Sequence, residues 1–590
     1  MRAAHTKHHL RPMHPVLFYT GLVLMTLILA VGLWGRGKGY VHRVKRFFHP
    51  AAPRQLAGHP RVDCGKPGDM EENILPETPI AAYLKLPNGK LDPSTVTPKN
   101  IRLMRTMDGT VIPATVELSG SGYRIALHPT VPLQGNTNYT FCLTEGVRDL
   151  RGATMEPWAI AFTTKPTSEA DPLIKFDPAR LDSTQGHGYT ALRIGPDHQL
   201  YAATDDGKIF RYPILPDGTL DSPTLLDGLV KAWGPRIIIG FCFEPRSTAD
   251  NMAIWITHNE PVFVNTAPLG GAISRMSGPS LDTVQNAVIN LPRAYTDHMT
   301  NQPAFGPDGA LYLPQGCNSA FGDADPTWGN RAERLFSATI LRLDVTQLSG
   351  GPIDAAALEH NPDYNPYNYN GALSIYATGI RNAYSLIWHS NGHLYVPTNG
   401  SSPGGNTPAG GGAPALTHIN FSEDDFLFDV HRGKYYGHPN PVQHHYVLHG
   451  GNPLDEHAPQ RITLYPKGVQ PDPDFEPAAY NFGKHVSANG VIEYRGDFFQ
   501  GHLDHRILVC RYNVGSDIIA LTVDADGKVV GAGASVPGLR SLACPLDLVE
   551  DRDTGNVYVS EYGAKRIMLG RAVRTGAAGS TVTTTGQATP

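Results

Sequence analysis

Between Ile80 and Lys165 the chain alternates apolar and polar residues in short runs: "IAAYLKLP", "NIRLMRT", "TVELSG", "GYRIALHP", "NYTFCLTEG" and "WAIAFTTK". Turn signals such as Pro-Asn-Gly and Asp-Gly separate them. Period-two alternation interrupted by such turns predicts half-buried strands, packed as a small all-β sandwich over residues 69–166. From 167 to 574 a single phrase recurs, a turn feeding an alternating strand that carries an aromatic residue. It reads "IGPDHQLYAATDDGKIFRY" from Ile194, "FGPDGALYLPQG" from Phe305, "HSNGHLYVPTNG" from His389 and "DRDTGNVYVSEYGAKRI" from Asp551. "NMAIWITHNE" at Asn251 and "HRILVCRYN" at His505 repeat the strand without the full turn. With Tyr201, Trp255, Tyr312, Tyr395, Val509 and Tyr558 as landmarks, six units follow one another at roughly 50 to 60 residues, two of them lengthened by insertions. Short-strand repeats of that period predict a six-bladed β-propeller.

The longest insertion, 401–480, is Gly/Pro-rich at first ("SSPGGNTPAGGGAPA") and then His-rich ("HRGKYYGHPNPVQHHYVLHG"), and a loop of that length in a compact domain is functional or disordered. Residues 575–590 are a low-complexity tail without the means to form a core.

The N-terminus breaks the pattern. After a flank of 14 residues, "PVLFYTGLVLMTLILAVGLW" runs from Pro15 to Trp34 without a charge, long enough to cross about 30 Å of hydrocarbon as a single transmembrane helix. No A-x-A-like cleavage site follows and no Cys stands nearby to take a lipid, so a membrane anchor is expected, joined to the sandwich by a linker over 35–68. Arg2, Lys7 and Arg11 precede the span, while Arg36, Lys38, Arg43, Lys45 and Arg46 follow it. Counted literally, that bias keeps the bulk of the chain in the cytoplasm. Large domains translocate largely regardless of charge, and a periplasmic or extracellular location is expected from the family likeness below.

Length and composition narrow the class. At 590 residues, two folded units plus ends are expected. A charged fraction of 17% and a net charge of −5 give no footprint for nucleic acid. The six cysteines (64, 142, 242, 317, 510, 544) lie far apart with no CxxC, which removes zinc-finger, thioredoxin-like and c-type haem readings and leaves both buried thiols and disulfides open.

Four segments hold candidate chemistry, because propeller loops gather around a central channel. In "DHMTNQPAFGPDG", His298 precedes a strand, and an imidazole suits a base that takes the proton of an alcohol. In "GIRNAYSLIW", Arg381 offers a planar fork of donors that wants a carboxylate or an oxygen on which negative charge develops; a salt bridge within the blade is the alternative. In "TNGSSPGGN", followed by "EDDFLFDVHRGKYYGHPN", backbone carbonyls and Asp424 or Asp425 are oxygens of the kind Ca²⁺ accepts, a solvated acidic loop being the alternative. The nearby His431, His438, His444 and His445 match no closed zinc site by spacing. In "GLRSLACPLDLVEDRDTGNVYVSEYG", Arg540 is a candidate anion contact.

Two resemblances attach to these residues. "LDPSTVTPKNIRLMR…GYRIALHPTVPLQGNTNYTFCLTEGVRDLRG…FTTK" resembles the bacterial Ig-like domain, a spacer or adhesion module appended to exported enzymes. "IIIGFCFEP", "H…FGPDGALYLPQG", "ATILRLD", "YATGIRNAYSLIWHSNGHLYV", "RGKYYGHP" and "NGVIEYRGDFF…HRILVCRYN", in that order, resemble the soluble quinoprotein glucose dehydrogenase and aldose sugar dehydrogenase (glucose/sorbosone dehydrogenase) family across the whole propeller. The resemblance implies pyrroloquinoline quinone (PQQ) over the channel, a Ca²⁺ ion beside it, and a His that removes a sugar hydroxyl proton as hydride passes to the quinone. His298 matches that base and Asp297 an acidic neighbour found in some members. Arg381 and Asn382 match the pair contacting the cofactor's carbonyl oxygens. Gly400 and Ser401 fall where backbone carbonyls hold calcium, Asp425 aligns with the acid that follows, and Arg511 stands near an expected Lys.

The chain also departs from the family. Pro235–Arg236 replaces Gln or Glu before the GLLG turn, Thr398-Asn399-Gly400-Ser401 replaces Glu-His-Gly-Pro, and Cys544-Pro545-Leu546-Asp547-Leu548 replaces the PQQ-contacting Arg-x-Arg-Asp-Val. The leading expectation is therefore a divergent, membrane-anchored, exported PQQ-dependent dehydrogenase of a sugar or related alcohol, with an electron acceptor in the envelope. A non-catalytic propeller binding glycan or a cell-envelope protein, and a Ca²⁺-dependent lactonase, are the alternatives.

Overall fold

The computed structural model describes residues 58–574, apart from 75–77, 107–108, 120–121, 131–132, 135–136, 165–170, 172 and 456. The expected anchor at 15–34, most of the linker and the tail at 575–590 lie outside the described residues. Among the described residues no helix is long and apolar enough to cross a membrane.

The first unit is a sandwich of two four-stranded sheets. One is ordered Arg61–Lys66, Ile80–Lys85, Arg124–Pro129, Ala114–Leu118, and the other Glu71–Ile74, Trp158–Thr164, Asn138–Leu143, Ile101–Arg105. Alternation delivers Ile80, Ala82, Leu84, Ile125 and Leu127 from the first sheet onto Leu103, Phe141 and Phe162 of the second. The opposite face of Ile80–Lys85 is buried too: Ala81 and Tyr83 pack with Tyr395, Phe482 and Val486 of the second unit. The sandwich starts earlier than the expected boundary of 69. Its edge strand Arg61–Lys66 pairs with Ile80–Lys85, and its Arg, Asp and Lys, which suit an exposed edge, gave it the look of a linker.

Six further sheets follow in chain order, beginning with the strands Tyr189–Ile194, Ile237–Phe243, Ala304–Phe305, Ile387–Trp388, Ala488–Glu493 and Pro545–Asp551. Each of these first strands packs against the next, and Pro545–Asp551 packs back on Tyr189–Ile194, so the six form a closed ring. The last sheet takes its outer strand from the start of the unit: Arg566–Ala572 pairs antiparallel with Phe176–Arg180. All six sequence landmarks lie on the second strand of their sheet. Apolar clusters fill the gaps between neighbouring sheets, for example Ala203, Ile209, Ile238 and Ile256 between the first two.

The insertion differs from a structureless loop. Asp424–Asp429 is the third strand of the fourth sheet, pairing with Leu394–Thr398 and with Tyr480–Lys484. The remainder forms two covering segments whose Ala413, Ile419, Val447, Leu448 and Tyr465 pack on Ala320 and Phe321. All six cysteines are free thiols.

Polar side chains cross the axis of the ring. Arg193 pairs with Asp547 at 2.9 Å and donates to Gln302 Oε1 at 2.8 Å, while Tyr384 Oη donates to the Thr190 carbonyl at 2.7 Å. Asp547 belongs to the segment where family arginines were expected; its carboxylate also accepts from Leu192 N at 2.8 Å. That segment serves the axis of the ring.

Candidate functional site

Around the N-terminal ends of the third, fourth and fifth first strands, the loops enclose a cavity of about 430 Å³ whose walls include Asp297, His298, Trp328, Arg381, Asn382 and Asp425. Gly400 and Ser401 line it as well. Residues spread over more than a hundred positions of sequence thus meet in one space.

His298 is held from several sides. Its Nδ1 lies 3.2 Å from the Cys317 carbonyl and 3.1 Å from Cys317 Sγ, so the ring proton sits on Nδ1 and Nε2 is left as an acceptor. Arg293, fully buried, donates Nη1 to the carbonyls of Thr296 (2.5 Å) and His298 (2.6 Å) and Nη2 to Val262 (2.7 Å), which fixes the loop. Burial first, and the Arg381 guanidinium second, hold the His298 pKa well below the ordinary histidine range, so the ring is neutral at neutral pH.

Arg381 makes no salt bridge within its sheet. Nε donates to Ala320 O at 3.2 Å, and Nη1 to Asn399 O at 3.3 Å and Gly400 O at 3.0 Å, leaving Nη2 without a hydrogen-bonded protein partner. Its guanidinium lies 5.4 Å from the centre of the Trp328 ring, and the His298 ring centre is 4.4 Å from the same ring. Trp328 is presented by a short turn that Asp325 caps through Thr327 N and Trp328 N. Asn382 accepts from Asn301 Nδ2 at 3.1 Å, which keeps its own amide N–H groups as donors. Gly316 is what lets the two meet. A β-carbon there would stand 2.8 Å from His298 Cβ and 2.9 Å from Asn382 Oδ1.

The expected calcium ligands are otherwise engaged. The Gly400 carbonyl accepts from Arg381, and Asp425 spends Oδ1 on Gly400 N (2.7 Å) and Oδ2 on Ser487 N (2.7 Å). Ser401 N donates to Glu423 at 2.7 Å, and its hydroxyl donates to the Ser402 carbonyl at 3.0 Å. Calcium needs six to eight converging oxygens. Here a guanidinium already supplies the positive charge at that turn, so Gly400, Ser401 and Asp425 do not fit a calcium site. Asp425 is buried, and that pushes its pKa up to about 6 against the pull of its backbone donors.

Two further assignments move. Arg511 pairs in two-pronged fashion with Asp517, at 2.7 and 2.6 Å, and Arg540 donates to the Ser535 carbonyl at 3.3 Å; neither lines the cavity. Cross-strand pairing explains the first, since Arg511 and Asp517 are directly opposed in a hairpin.

PQQ is flat, with adjacent quinone oxygens at one end and carboxylates around it. The Trp328 face, Arg381 Nη2 and the Asn382 amide fit the quinone end, beside the His298 acceptor. Among the described residues, Arg381 is the one Lys or Arg lining the cavity.

Sequence reasoning missed Arg293, Trp328, Cys317 and the buried pairs His438–Glu333 (3.2 Å) and His449–Glu423 (2.8 Å), which tie the covering segments to the site. Of these only His438, inside "RGKYYGHP", stood in a recognisable motif.

Residues 58–164 match the sequence model of the bacterial Ig-like domain, and the sandwich is such a domain. No curated protein matches the chain. Among solved structures, the chain is similar to the PQQ domain of a pyranose dehydrogenase from Coprinopsis cinerea, with 12% identity, 67% of this chain and 97% of that one covered, and a TM-score of 0.46. It is similar to the PQQ-bound aldose sugar dehydrogenase of Streptomyces coelicolor, with 16% identity, 68% and 99% covered, and a TM-score of 0.42. A protein of Thermus thermophilus titled a putative oxidoreductase (glucose dehydrogenase) matches at 17% identity, 68% and 100% coverage, and a TM-score of 0.42.

Proposed function

We propose that the ring is a six-bladed propeller and that its cavity is the site of a PQQ-dependent dehydrogenase acting on the CH–OH group of a sugar or related alcohol. One observation carries the reading. An imidazole with Nδ1 tied to a carbonyl and Nε2 free stands in the same cavity as an arginine and an amide with unspent donors. His298 Nε2 accepts the hydroxyl proton; the Cys317 carbonyl holds the tautomer that makes this possible. Arg381 and Asn382 hold oxygen atoms on which negative charge grows, and the buried setting strengthens their pull. Trp328 orients a flat ring against both. PQQ, when bound, supplies the hydride acceptor. No step passes through calcium, which also weighs against the lactonase reading.

The apolar stretch 15–34 anchors the chain in a membrane, with its bulk periplasmic or extracellular and an electron acceptor in the envelope. A non-catalytic glycan-binding role is favoured by one feature, the diversion of Arg511 and Arg540 away from the cavity. Titrating the purified chain with PQQ, followed by tryptophan fluorescence, and then assaying dye reduction with a panel of aldoses separates the two. Saturable quenching and turnover, with turnover lost in His298→Ala while PQQ still binds, support the dehydrogenase. Neither quenching nor turnover, with glycan binding intact, replaces it with the binding role.

A further inference from the structure

At the outer part of the fourth sheet, away from the cavity, three side chains converge. His393 lies in the turn before the second strand, Asp429 ends the third strand, and His431 follows two residues later. His393 Nδ1 is 2.8 Å and His431 Nε2 is 3.6 Å from the same oxygen, Asp429 Oδ2. The other nitrogen of each ring is turned to an acceptor. His393 Nε2 lies 3.3 Å from the Ala525 carbonyl, and His431 Nδ1 lies 2.9 Å from Glu476 Oε2. Asp429, Glu476 and the Ala525 carbonyl all accept and none donates, so each ring has an acceptor at both nitrogens and, when neutral, one N–H to offer. One bare lone pair on each ring then faces an acceptor oxygen. A second proton on a ring resolves that conflict, and so does a shared cation.

Three features favour the cation. Asp429 Oδ1 is buried with no hydrogen-bond partner. A histidine whose far N–H is held by a carboxylate or backbone carbonyl is the usual setting of a metal-bound imidazole, and here each ring has such an acceptor on the side away from Asp429. A tetrahedral ion with ligands at about 2.0 Å needs donors about 3.3 Å apart, and the observed 2.8 and 3.6 Å bracket that spacing. The buried group Cys317, Glu333 and His438 is a weaker convergence, because the Glu333 oxygens already accept from Asn318 N, Ser319 N and the hydroxyls of Ser319 and Ser337.

We propose that His393 Nδ1, His431 Nε2 and Asp429 form a site for a divalent transition metal of the zinc class, with Glu476 and the Ala525 carbonyl as positioning groups. Ala525 belongs to the hairpin turn of the fifth sheet, so the ion also staples two neighbouring sheets. His431 is exposed enough to admit an ion from solution.

The purified whole chain, stripped with a chelator, is titrated with ZnCl₂ alone by calorimetry. One equivalent is expected to bind. His393→Ala and His431→Ala should each weaken binding at least tenfold, and Glu476→Gln should weaken it less, while exposed His444→Ala leaves it unchanged. Melting curves of the stripped proteins check that each variant is folded, and Zn²⁺ should raise the melting temperature of the parent but not of His431→Ala. No binding at one equivalent, or binding unaltered in both histidine variants, overturns the proposal.

Discussion

Asp425 offers a quantitative test of how the site is built. Its carboxylate holds Gly400 N and Ser487 N, and through Gly400 it sets the carbonyl that Arg381 grips. Burial nevertheless pushes its pKa from 3.8 to about 6. Because the proton is held more tightly in the folded than in the unfolded protein, the associated stability is present at low pH and is lost as pH rises from about 4 through 6. Each pKa unit is worth about 1.4 kcal/mol, which gives about 3 kcal/mol in full and about 2 kcal/mol between pH 4 and 7. Asp425→Asn keeps one acceptor but turns an N–H₂ toward the second backbone donor, so it destabilises throughout that range, and its stability no longer depends on this group. Urea unfolding of both proteins at pH 4, 5, 6 and 7, followed by tryptophan fluorescence, should show the gap between them narrowing by about 2 kcal/mol as pH rises. A gap that is constant or widens refutes the reasoning.

Gly316→Ala should cost about 1–3 kcal/mol in urea unfolding by driving a methyl into His298 and Asn382, and it should weaken PQQ quenching at least tenfold. Tyr83 stacks on His485, a wall residue of the cavity, at 4.5 Å, yet its buried hydroxyl has no hydrogen-bond partner. Tyr83→Phe should therefore leave thermal stability unchanged or raise it by up to about 2 kcal/mol, whereas Tyr83→Ala should lower it by about 3–5 kcal/mol.

Much of the architecture was legible because alternation and turn chemistry are local. The landmarks, aromatic in every sheet but the fifth, where Val509 stands, marked the second strand of each sheet, and the short strands between turns gave the sandwich. What escaped depends on partners far away in sequence. Phe176–Arg180 has only Phe176 buried, and nothing in "FDPAR" tells that it pairs with the end of the ring. "EDDFLFD" reads as an acidic loop, since a buried Asp425 makes sense only beside the backbone donors of Gly400 and Ser487. For the site, His298 and Arg381 stood out by their chemistry and Asn382 through the family resemblance, and the three line one cavity. The protein partners of Gly400 and Asp425 were not legible, because which group faces the Gly400 carbonyl is settled by folding alone. Arg293 carried no motif, and its role exists only once three carbonyls surround it.

The strand that completes the last sheet gives the ring a final latch. Ile567 N donates to Thr184 Oγ1 across 383 residues of chain, and the two edges stay unsatisfied until nearly all of the unit has been made. A nascent or partly refolded molecule thus exposes two matching edges, Phe176–Arg180 and Arg566–Ala572. Dilute chains close on themselves. Crowded ones can lend the strand to a neighbour, and the same latch then links subunits into exchanged dimers.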